Sequence, residues 1–138
     1  MAANLFRPLL IFIAEDNRAD VYLVEMALKD RGVRFALRWV SDGEQAMRAA
    51  GEFGRTEPVP DIALLDLNLP REEGDHVLEV LRRNPCCRAL PIIVMTSSES
   101  PRDRDRAEQF GAAFFSKPST LNQFLQLGDL VKSMCASA

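Results

Sequence analysis

The stretch LLIFIAEDN, residues 9–17, decides the fold of this chain. Its first six residues are apolar or small, which is typical of a short strand that is buried in a domain core. The run ends directly in Glu15, Asp16 and Asn17, so two carboxylates are neighbours where the buried segment stops. Adjacent carboxylates repel each other, and each resists the loss of its water. Either these acids lie in solvent or a cation belongs beside them.

Four more short apolar runs follow along the chain, and amphipathic stretches separate them. The five runs are residues 9–14, 35–41, 62–65, 91–95 and 112–115. Signals for five helices lie between and after these runs. The predicted helix starts are Asn17, with Asp20 as its capping-box partner, Asp42, Asp75, Ser100 with Pro101, and Ser119. The predicted stops are Gly32 for the first helix, Pro85 for the third and Gly111 for the fourth. Five strand–helix units predict an α/β fold, a single doubly wound (βα)5 domain with a parallel five-stranded sheet in the order 2-1-3-4-5.

Composition restricts the classes of function. The chain has 138 residues, of which 47% are hydrophobic and 27% charged, and its net charge is −3. This charge argues against nucleic acid as the main ligand. No apolar run approaches the roughly 20 residues that span a bilayer, and no signal peptide is evident, so we expect a cytoplasmic protein. The three cysteines, Cys86, Cys87 and Cys135, lack the number and spacing of a disulfide framework or a zinc site.

The carboxyl ends of parallel strands meet at one edge of the sheet, where ligands bind. In the predicted order, strands one and three are neighbours, so three carboxylates converge there with a hydroxyl and an ammonium. An oxygen-rich set without His or Cys suits a hard cation such as Mg²⁺ rather than zinc or copper. The side chains left at these strand ends are Glu15 and Asp16, Asp66, Thr96, and Lys117.

This set of residues favours an aspartyl-phosphate intermediate. A carboxylate beside Mg²⁺ and a lysine can act as the nucleophile toward phosphorus. The metal and Lys117 would neutralise charge on the transferred group, and Thr96 could donate a hydrogen bond to a phosphoryl oxygen. The order Glu15-Asp16, Asp66, Thr96, Lys117-Pro118 resembles the receiver domain of bacterial two-component response regulators, from residue 9 to the final helix.

The resemblance implies a role for each matching residue. Asp66 accepts the phosphoryl group from the phosphohistidine of a sensor kinase, with Thr96 and Lys117 as the family's hydroxyl and lysine. Asp16 ligates Mg²⁺ directly together with Asp66 and the main-chain carbonyl of Asn68, and Glu15 acts through water. The acid pair is Glu-Asp where Asp-Asp is also common, and the longer Glu15 should still reach the metal through water.

Four finer features also follow from the resemblance. The peptide bond between Lys117 and Pro118 is expected to be cis. Phe114, three residues before the lysine, occupies the aromatic switch position, although it lacks the hydroxyl of a tyrosine. Asn68 and Ser98 flank the path of the attacking water and set the lifetime of the phosphorylated state. The stretches EDNRAD and DLNLP look like stand-alone receivers associated with phytochrome-type sensor kinases.

We therefore expect residues 1–138 to form one receiver domain without an attached effector domain, which signals to a downstream protein target by contact and is not an enzyme. Three other functions fit these residues less well. A Mg²⁺-dependent phosphatase of the haloacid-dehalogenase type would need an acid at the position of Asn68. A flavodoxin-like cofactor binder would need a glycine-rich phosphate loop after the first strand. A receiver that never accepts phosphate is disfavoured by the intact set of acids.

Several residues have two open interpretations. Phe114 is either a core residue or the switch, and His76 is either an exposed bystander or a phosphate carrier in a relay. Cys86 and Cys87 are either inert or redox-active. The charged run RDRDRAEQ, residues 102–109, is either a solvated helix face or part of the surface that contacts a target.

The final helix carries two apolar stripes. The first is expected to pack on the sheet, and the second is turned away from it. The second stripe either packs on a neighbouring helix of the same domain or forms a homodimer or partner-docking surface. The first stripe is Leu121, Phe124, Leu125, Val131 and Cys135, and the second is Leu127, Leu130 and Met134.

Overall fold

The computed structural model describes residues 7–71, 74–97 and 100–136. Its five strands are all parallel and lie in the order β2-β1-β3-β4-β5, which confirms the predicted fold class and topology. The strands are β1 (Leu9–Ala14), β2 (Phe35–Val40), β3 (Ile62–Asp66), β4 (Ile92–Thr96) and β5 (Ala113–Ser116). The helices are α1 (Arg18–Asp30), α2 (Gly43–Glu52), α3 (Gly74–Arg83), α4 (Pro101–Gln109), α5 (Leu121–Phe124) and α6 (Gln126–Ala136), with a 3-10 turn at Pro85–Cys87.

The sheet is covered on both faces, which explains why its central strand β1 is apolar at every position. Successive side chains of a strand point to opposite faces. In β1, Phe12 and Ala14 therefore join the core layer under α2, α3 and α4, while Ile11 and Ile13 join the layer under α1, α5 and α6. The polar residues that follow these strands emerge at a rigid edge.

Side-chain caps begin α1, α2 and α4 as the sequence predicts. Asn17 accepts a hydrogen bond from the Ala19 N–H at 2.9 Å, and Asp42 caps α2 in the same way. The predicted capping-box role of Asp20 is wrong. The Asn17 N–H donates instead to Glu15 Oε2 at 3.1 Å, and the Asp20 carboxylate accepts from the Lys117 ammonium. A charged donor is a stronger partner for a carboxylate than a main-chain N–H.

The final helix differs from the prediction. It begins after Thr120, not Ser119, and it is interrupted at Leu125. Leu121, expected to pack on the sheet, is 44% exposed, whereas Leu127 is completely buried.

The second apolar stripe belongs to the core. Leu130 and Met134 are partly buried and pack on the same core layer as Leu127, next to α1. Gly128 explains this packing, because a Cβ at that position would lie only 2.5 Å from the Ala27 carbonyl oxygen of α1. The absence of that Cβ lets α6 approach α1 closely. The structure therefore assigns the stripe to packing within the domain and not to an exposed interface.

Arg82 joins three segments on the opposite face. Its guanidinium donates to five main-chain carbonyl oxygens, and burial lowers its pKa. These oxygens come from the turn before β4 and from the turn between α4 and β5. The acceptors are Phe110 (2.7 Å), Leu90 (2.8 Å), Cys87 (3.1 Å), Arg88 (3.3 Å) and Gly111 (3.3 Å).

None of the helices in the described ranges has the length and apolar character that crossing a bilayer requires.

Candidate functional site

The register of the sheet brings the predicted site residues to one edge. Because all five strands are parallel, their carboxyl ends lie side by side. The opposed pairs at these ends are Ala14 with Leu65, Asp66 with Met95, and Thr96 with Ser116. Glu15 therefore follows β1 next to Asp66 at the end of β3, and Lys117 follows β5 next to Thr96.

Lys117 connects the acids of the site. Its Nζ atom lies 2.6 Å from Glu15 Oε1, 2.8 Å from Asp20 Oδ2 and 3.0 Å from Asp66 Oδ2. The lysine side chain is only 10% exposed. An ammonium has three N–H donors, so these three contacts use all of them. One side chain thus ties the ends of β1 and β3 to the first turn of α1.

Burial and charge shift the pKa values of this pair. Burial disfavours the ammonium of Lys117, but its hydrogen bonds to Asp20 and Glu15 outweigh that cost and raise its pKa. Glu15 is completely buried, and this burial raises its pKa to about 7. The bond from Lys117 acts in the opposite direction, while the charge of Asp66 adds to the increase. The Glu15 carboxylate therefore binds a proton more readily than an exposed glutamate does.

Three carboxylates offer a site for a hard cation. Glu15, Asp16 and Asp66 each present an oxygen, and these oxygens all lie within 4.8 Å of one another. Asp16 is exposed and, with Asn68, lines an open cleft of about 610 Å³. A set of oxygen donors without nitrogen or sulfur fits Mg²⁺. The three predicted carboxylate residues of the metal site are thus brought together.

The two oxygens of Asp66 have different partners. Oδ1 accepts from the Asn68 N–H at 2.9 Å, and Oδ2 accepts from Lys117. Thr96 is completely buried; its Oγ1 accepts from Asn68 Nδ2 at 3.2 Å, and its carbonyl accepts from the Lys117 N–H at 2.8 Å. Asn68 therefore links the phosphoacceptor candidate to the threonine.

Phe114 is packed rather than free. It is partly buried against the core layer under α2, α3 and α4. The Arg104 guanidinium of α4 lies 4.6 Å from the centroid of its ring, within the range of a cation–π contact. The structure thus shows Phe114 as a core residue in this state, and its role as a switch stays a prediction.

The peptide bond between Lys117 and Pro118 is trans, as are all peptide bonds in the described part of the chain. The cis form expected from the resemblance is therefore not found. The trans form of an X–Pro bond is intrinsically favoured by about 0.5–1 kcal/mol. In this form the Lys117 N–H and Nζ make the contacts described above.

The sequence did not reveal two residues of this site. Asp20 was interpreted only as a helix cap, although it lies in the first turn after the acid pair. Trp39 lies on β2 beside β1, and its indole Nε1–H donates to the Glu15 main-chain oxygen at 2.7 Å. The predicted pairing of β1 with β2 was the only feature of the sequence that could have placed Trp39 near the site. Ser98 lies outside the described residues.

The remaining predicted residues lie in ordinary settings. His76 is exposed on α3. All three thiols are free; Cys86 is exposed, while Cys87 is buried and burial raises its pKa. A thiol with a raised pKa is a poor nucleophile.

The chain is similar to known proteins over most of its length. The family model described as response regulator receiver domain matches residues 11–128. Response regulator Rcp1 from Synechocystis sp. (strain ATCC 27184 / PCC 6803 / Kazusa) is 37% identical over 98 residues, which cover 70% of this chain and 67% of Rcp1. The chain spans about two thirds of the length of the first curated relatives it matches.

Solved structures give the same answer. The phosphorylated cyanobacterial phytochrome response regulator RcpA superposes with a TM-score of 0.82 at 29% identity, covering 95% of this chain and 96% of RcpA. The Mn²⁺-bound form of Rcp1 has a TM-score of 0.79 at 29% identity, with coverage of 91% and 93%. The receiver domain of the Pseudomonas aeruginosa PAO1 sensor histidine kinase PA1611, solved with magnesium in its active-site cleft, has a TM-score of 0.74 at 25% identity, with coverage of 94% and 99%.

These matches agree with the geometry of the strand ends. The chain has the acid cluster and the strand order of a phosphate-accepting α/β domain, and relatives with the same fold hold Mn²⁺ or Mg²⁺. The chain therefore belongs to the response regulator receiver family, whose members are phosphoacceptor signalling domains.

Proposed function

We propose that this chain accepts a phosphoryl group at Asp66 from the phosphohistidine of a sensor kinase and relays the signal through a changed protein-contact surface. The observation that carries this proposal is the 3.0 Å bond from Lys117 Nζ to Asp66 Oδ2 at the edge of the acid cluster. A carboxylate in that position is a nucleophile with a cation already beside it.

The chain's own groups prepare Asp66 for the transfer. The Asn68 N–H holds one carboxylate oxygen and Lys117 holds the other, so the carboxylate has a fixed orientation. One Asp66 oxygen forms the bond to phosphorus, while the bond from phosphorus to the donor imidazole nitrogen breaks and the nitrogen keeps the electron pair. Mg²⁺ on Asp16, Asp66 and the Asn68 carbonyl, with Glu15 in the outer shell, would neutralise charge on the phosphoryl oxygens.

The attached group would then act on its surroundings. Thr96 Oγ1 donates to a phosphoryl oxygen, and Phe114 fills the space that the threonine leaves. Hydrolysis returns the resting state, at a rate that depends on Asn68 and Ser98.

The partners belong to this proposal as well. RcpA is named as a phytochrome response regulator, and this similarity supports a phytochrome-type sensor kinase as the phosphate donor. Residues 1–138 would act as a single receiver domain in the cytoplasm. The signal would pass to a downstream protein, or to a second copy of the chain, by direct contact. Because Leu127 is buried, such a contact would use other residues. Light scattering with and without beryllofluoride decides whether the chain dimerises.

Phosphate labelling tests the central step. The protein is incubated with Mg²⁺ and acetyl phosphate, and the modified residue is mapped by mass spectrometry. We expect label on Asp66 in the wild type and none in Asp66→Asn. Asp75→Asn, which alters another acid of the same cleft, is the matched control and should be labelled normally. Label on a different residue in folded Asp66→Asn would refute the assignment.

A further inference from the structure

A fourth carboxylate lies at this site without belonging to the metal cluster. Asp20 Oδ2 accepts from Lys117 Nζ at 2.8 Å, and its side chain is 21% exposed. The oxygens that converge for a cation come from Glu15, Asp16 and Asp66. Asp20 comes from the first turn of α1, whereas those three follow or end strands. Asp20 therefore holds the ammonium without belonging to the set of oxygens that converge for a cation.

The three N–H donors of Lys117 have different fates when phosphate arrives. Phosphorylation removes the charge from Asp66, so the longest of the three bonds, at 3.0 Å, loses its ionic partner. The attached phosphoryl group brings new oxygens to the same place. One donor can then pass from Asp66 to a phosphoryl oxygen, provided that the other two stay where they are.

We propose that Asp20 is a positioning residue that holds the Lys117 ammonium in place before, during and after phosphoryl transfer. This inference rests on the proposed phosphorylation of Asp66. Glu15 cannot fill this role alone, because its carboxylate also accepts from the Asn17 N–H and belongs to the metal cluster. Asp20 lies outside that cluster, so its hold on the ammonium does not depend on the metal.

A lysine side chain needs a partner that fixes the position of its ammonium group. Its long side chain has many rotamers, and the ammonium is effective only when it lies where charge develops on the phosphoryl oxygens. The competing effect is repulsion, because a fourth negative charge disfavours an incoming phosphoryl donor. The two effects predict opposite results for removal of Asp20, which makes them separable by mutation.

Two variants separate the anchoring effect from the charge effect. Asp20→Ala and Asp20→Asn both remove the charge, but only the asparagine keeps an oxygen that can accept from Lys117. The rate of Asp66 labelling by acetyl phosphate is measured at saturating Mg²⁺, together with the affinity for beryllofluoride and for Mg²⁺ alone. We expect labelling to slow about tenfold in Asp20→Ala and to stay within about threefold of the wild type in Asp20→Asn.

Three controls make the result decisive. Both variants should have equal Mg²⁺ affinity, since they share the same charge. Glu25→Ala removes another acid of α1 that is not among the acceptors of Lys117, and it should label at the wild-type rate. Thermal unfolding should show that each variant is folded.

Several results would overturn the inference. Equal labelling rates in Asp20→Ala and Asp20→Asn, or faster labelling in Asp20→Ala than in the wild type, would contradict the positioning role of Asp20. A slower Asp20→Ala whose Mg²⁺ affinity falls below that of Asp20→Asn would place Asp20 among the metal residues. A wild type without label would refute the proposed function and this inference together, whereas a labelled wild type with an unaffected alanine variant counts against Asp20 only.

Discussion

The indole of Trp39 donates its Nε1–H to the main-chain oxygen of Glu15 at 2.7 Å, so the only tryptophan of the chain is bonded to the acid pair. The ring is partly buried, and the Arg18 guanidinium lies 5.5 Å from its centroid. Tryptophan emission responds to hydrogen bonding and nearby charge. Trp39 is therefore a built-in reporter of what happens at Glu15 and Asp16.

Mg²⁺ should change the emission of Trp39 in a saturable titration, because the ion brings two positive charges to the acids beside the indole. Asp16→Ala, which removes the exposed member of the cluster, should abolish the change. Asp30→Ala removes an acid at the far end of α1 and should titrate like the wild type. Unchanged Mg²⁺ affinity in Asp16→Ala would contradict the metal site.

Mg²⁺ affinity should rise with pH through the titration of Glu15. Burial raises the pKa of Glu15 from 4.5 to about 7, so the group is largely protonated at pH 6 and ionised at pH 8. A cation held beside this carboxylate through water favours its ionised form, which predicts tighter Mg²⁺ binding at pH 8 than at pH 6. Isothermal titration calorimetry measures both values, and Glu15→Gln should remove most of the difference.

The same pKa fixes the sign of a stability effect without metal. Between pH 4.5 and about 7 the folded state holds a proton on Glu15 that the unfolded state has released. The contribution of Glu15 to stability is therefore present below the unfolded pKa and is lost as the pH rises through the folded pKa. Urea unfolding of the wild type and of Glu15→Gln measures this contribution, and a wild-type midpoint that rises more steeply with pH than that of the variant would contradict it.

Thr96→Ala should accept phosphate but fail to spread the change. The variant leaves Asp66 and Lys117 in place, yet it removes the hydroxyl that now accepts from Asn68 and would later bind a phosphoryl oxygen. NMR amide shifts on addition of beryllofluoride should stay near the site in Thr96→Ala and extend to α4 and β5 in the wild type. Thr96→Ser keeps the hydroxyl and is the control. The full wild-type set of shifts in Thr96→Ala would be evidence against a coupling role.

Gly128→Ala should destabilise the protein by about 2 kcal/mol, since an overpacked contact typically costs 1–3 kcal/mol. The new Cβ would meet the Ala27 carbonyl oxygen at 2.5 Å, and this oxygen belongs to the backbone of a packed helix. Gly51→Ala is the matched control on α2, where nothing lies within 4 Å of the added carbon. That variant should gain up to about 1 kcal/mol from helix propensity. Urea unfolding compares the two, and equal stability would show that α6 can shift away from α1 without cost.

Arg82→Met should lower the free energy of unfolding by about 3 kcal/mol, because partly buried carbonyl oxygens would lose their common donor. Arg83→Met is the control, since the Arg83 side chain is 83% exposed and forms a long ion pair of 3.9 Å with Glu79. We expect the control to lie within about 0.5 kcal/mol of the wild type. A similar loss in both variants would show that the carbonyl contacts of Arg82 contribute little.

Local sequence patterns predicted the strands and the acids at their ends, because burial on both faces leaves a continuous apolar run that stops where the sheet stops. Each predicted run differs from its strand by no more than one residue at either end. The same reasoning brought Glu15, Asp66 and Lys117 together, since parallel strands end at a common edge.

What the sequence did not reveal depends on partners that are distant along the chain. The contact of Asp20 with Lys117 spans 97 residues, and no local pattern distinguishes it from a helix cap. The burial of Leu127 follows from the close approach of Gly128 to Ala27, which the periodicity of one helix cannot predict. Apolar spacing showed that the final helix has two apolar faces, but not whether the second face packs within the domain or against a partner.

Arg82 anchors the carboxyl end of α4, because its guanidinium donates to the carbonyl oxygens of Phe110 and Gly111, which directly follow that helix. Arg106, in the last turn of that helix, adds ion pairs to α3. Ser100, directly before α4, lines the cleft beside the acid cluster together with Arg102, Asp103 and Arg106. A helix that is anchored at one end moves most at its other end. Phosphorylation of Asp66 should therefore rotate α4 about its anchored end near Phe110. The displacement should be largest in the first turn of the helix and almost absent in its last turn.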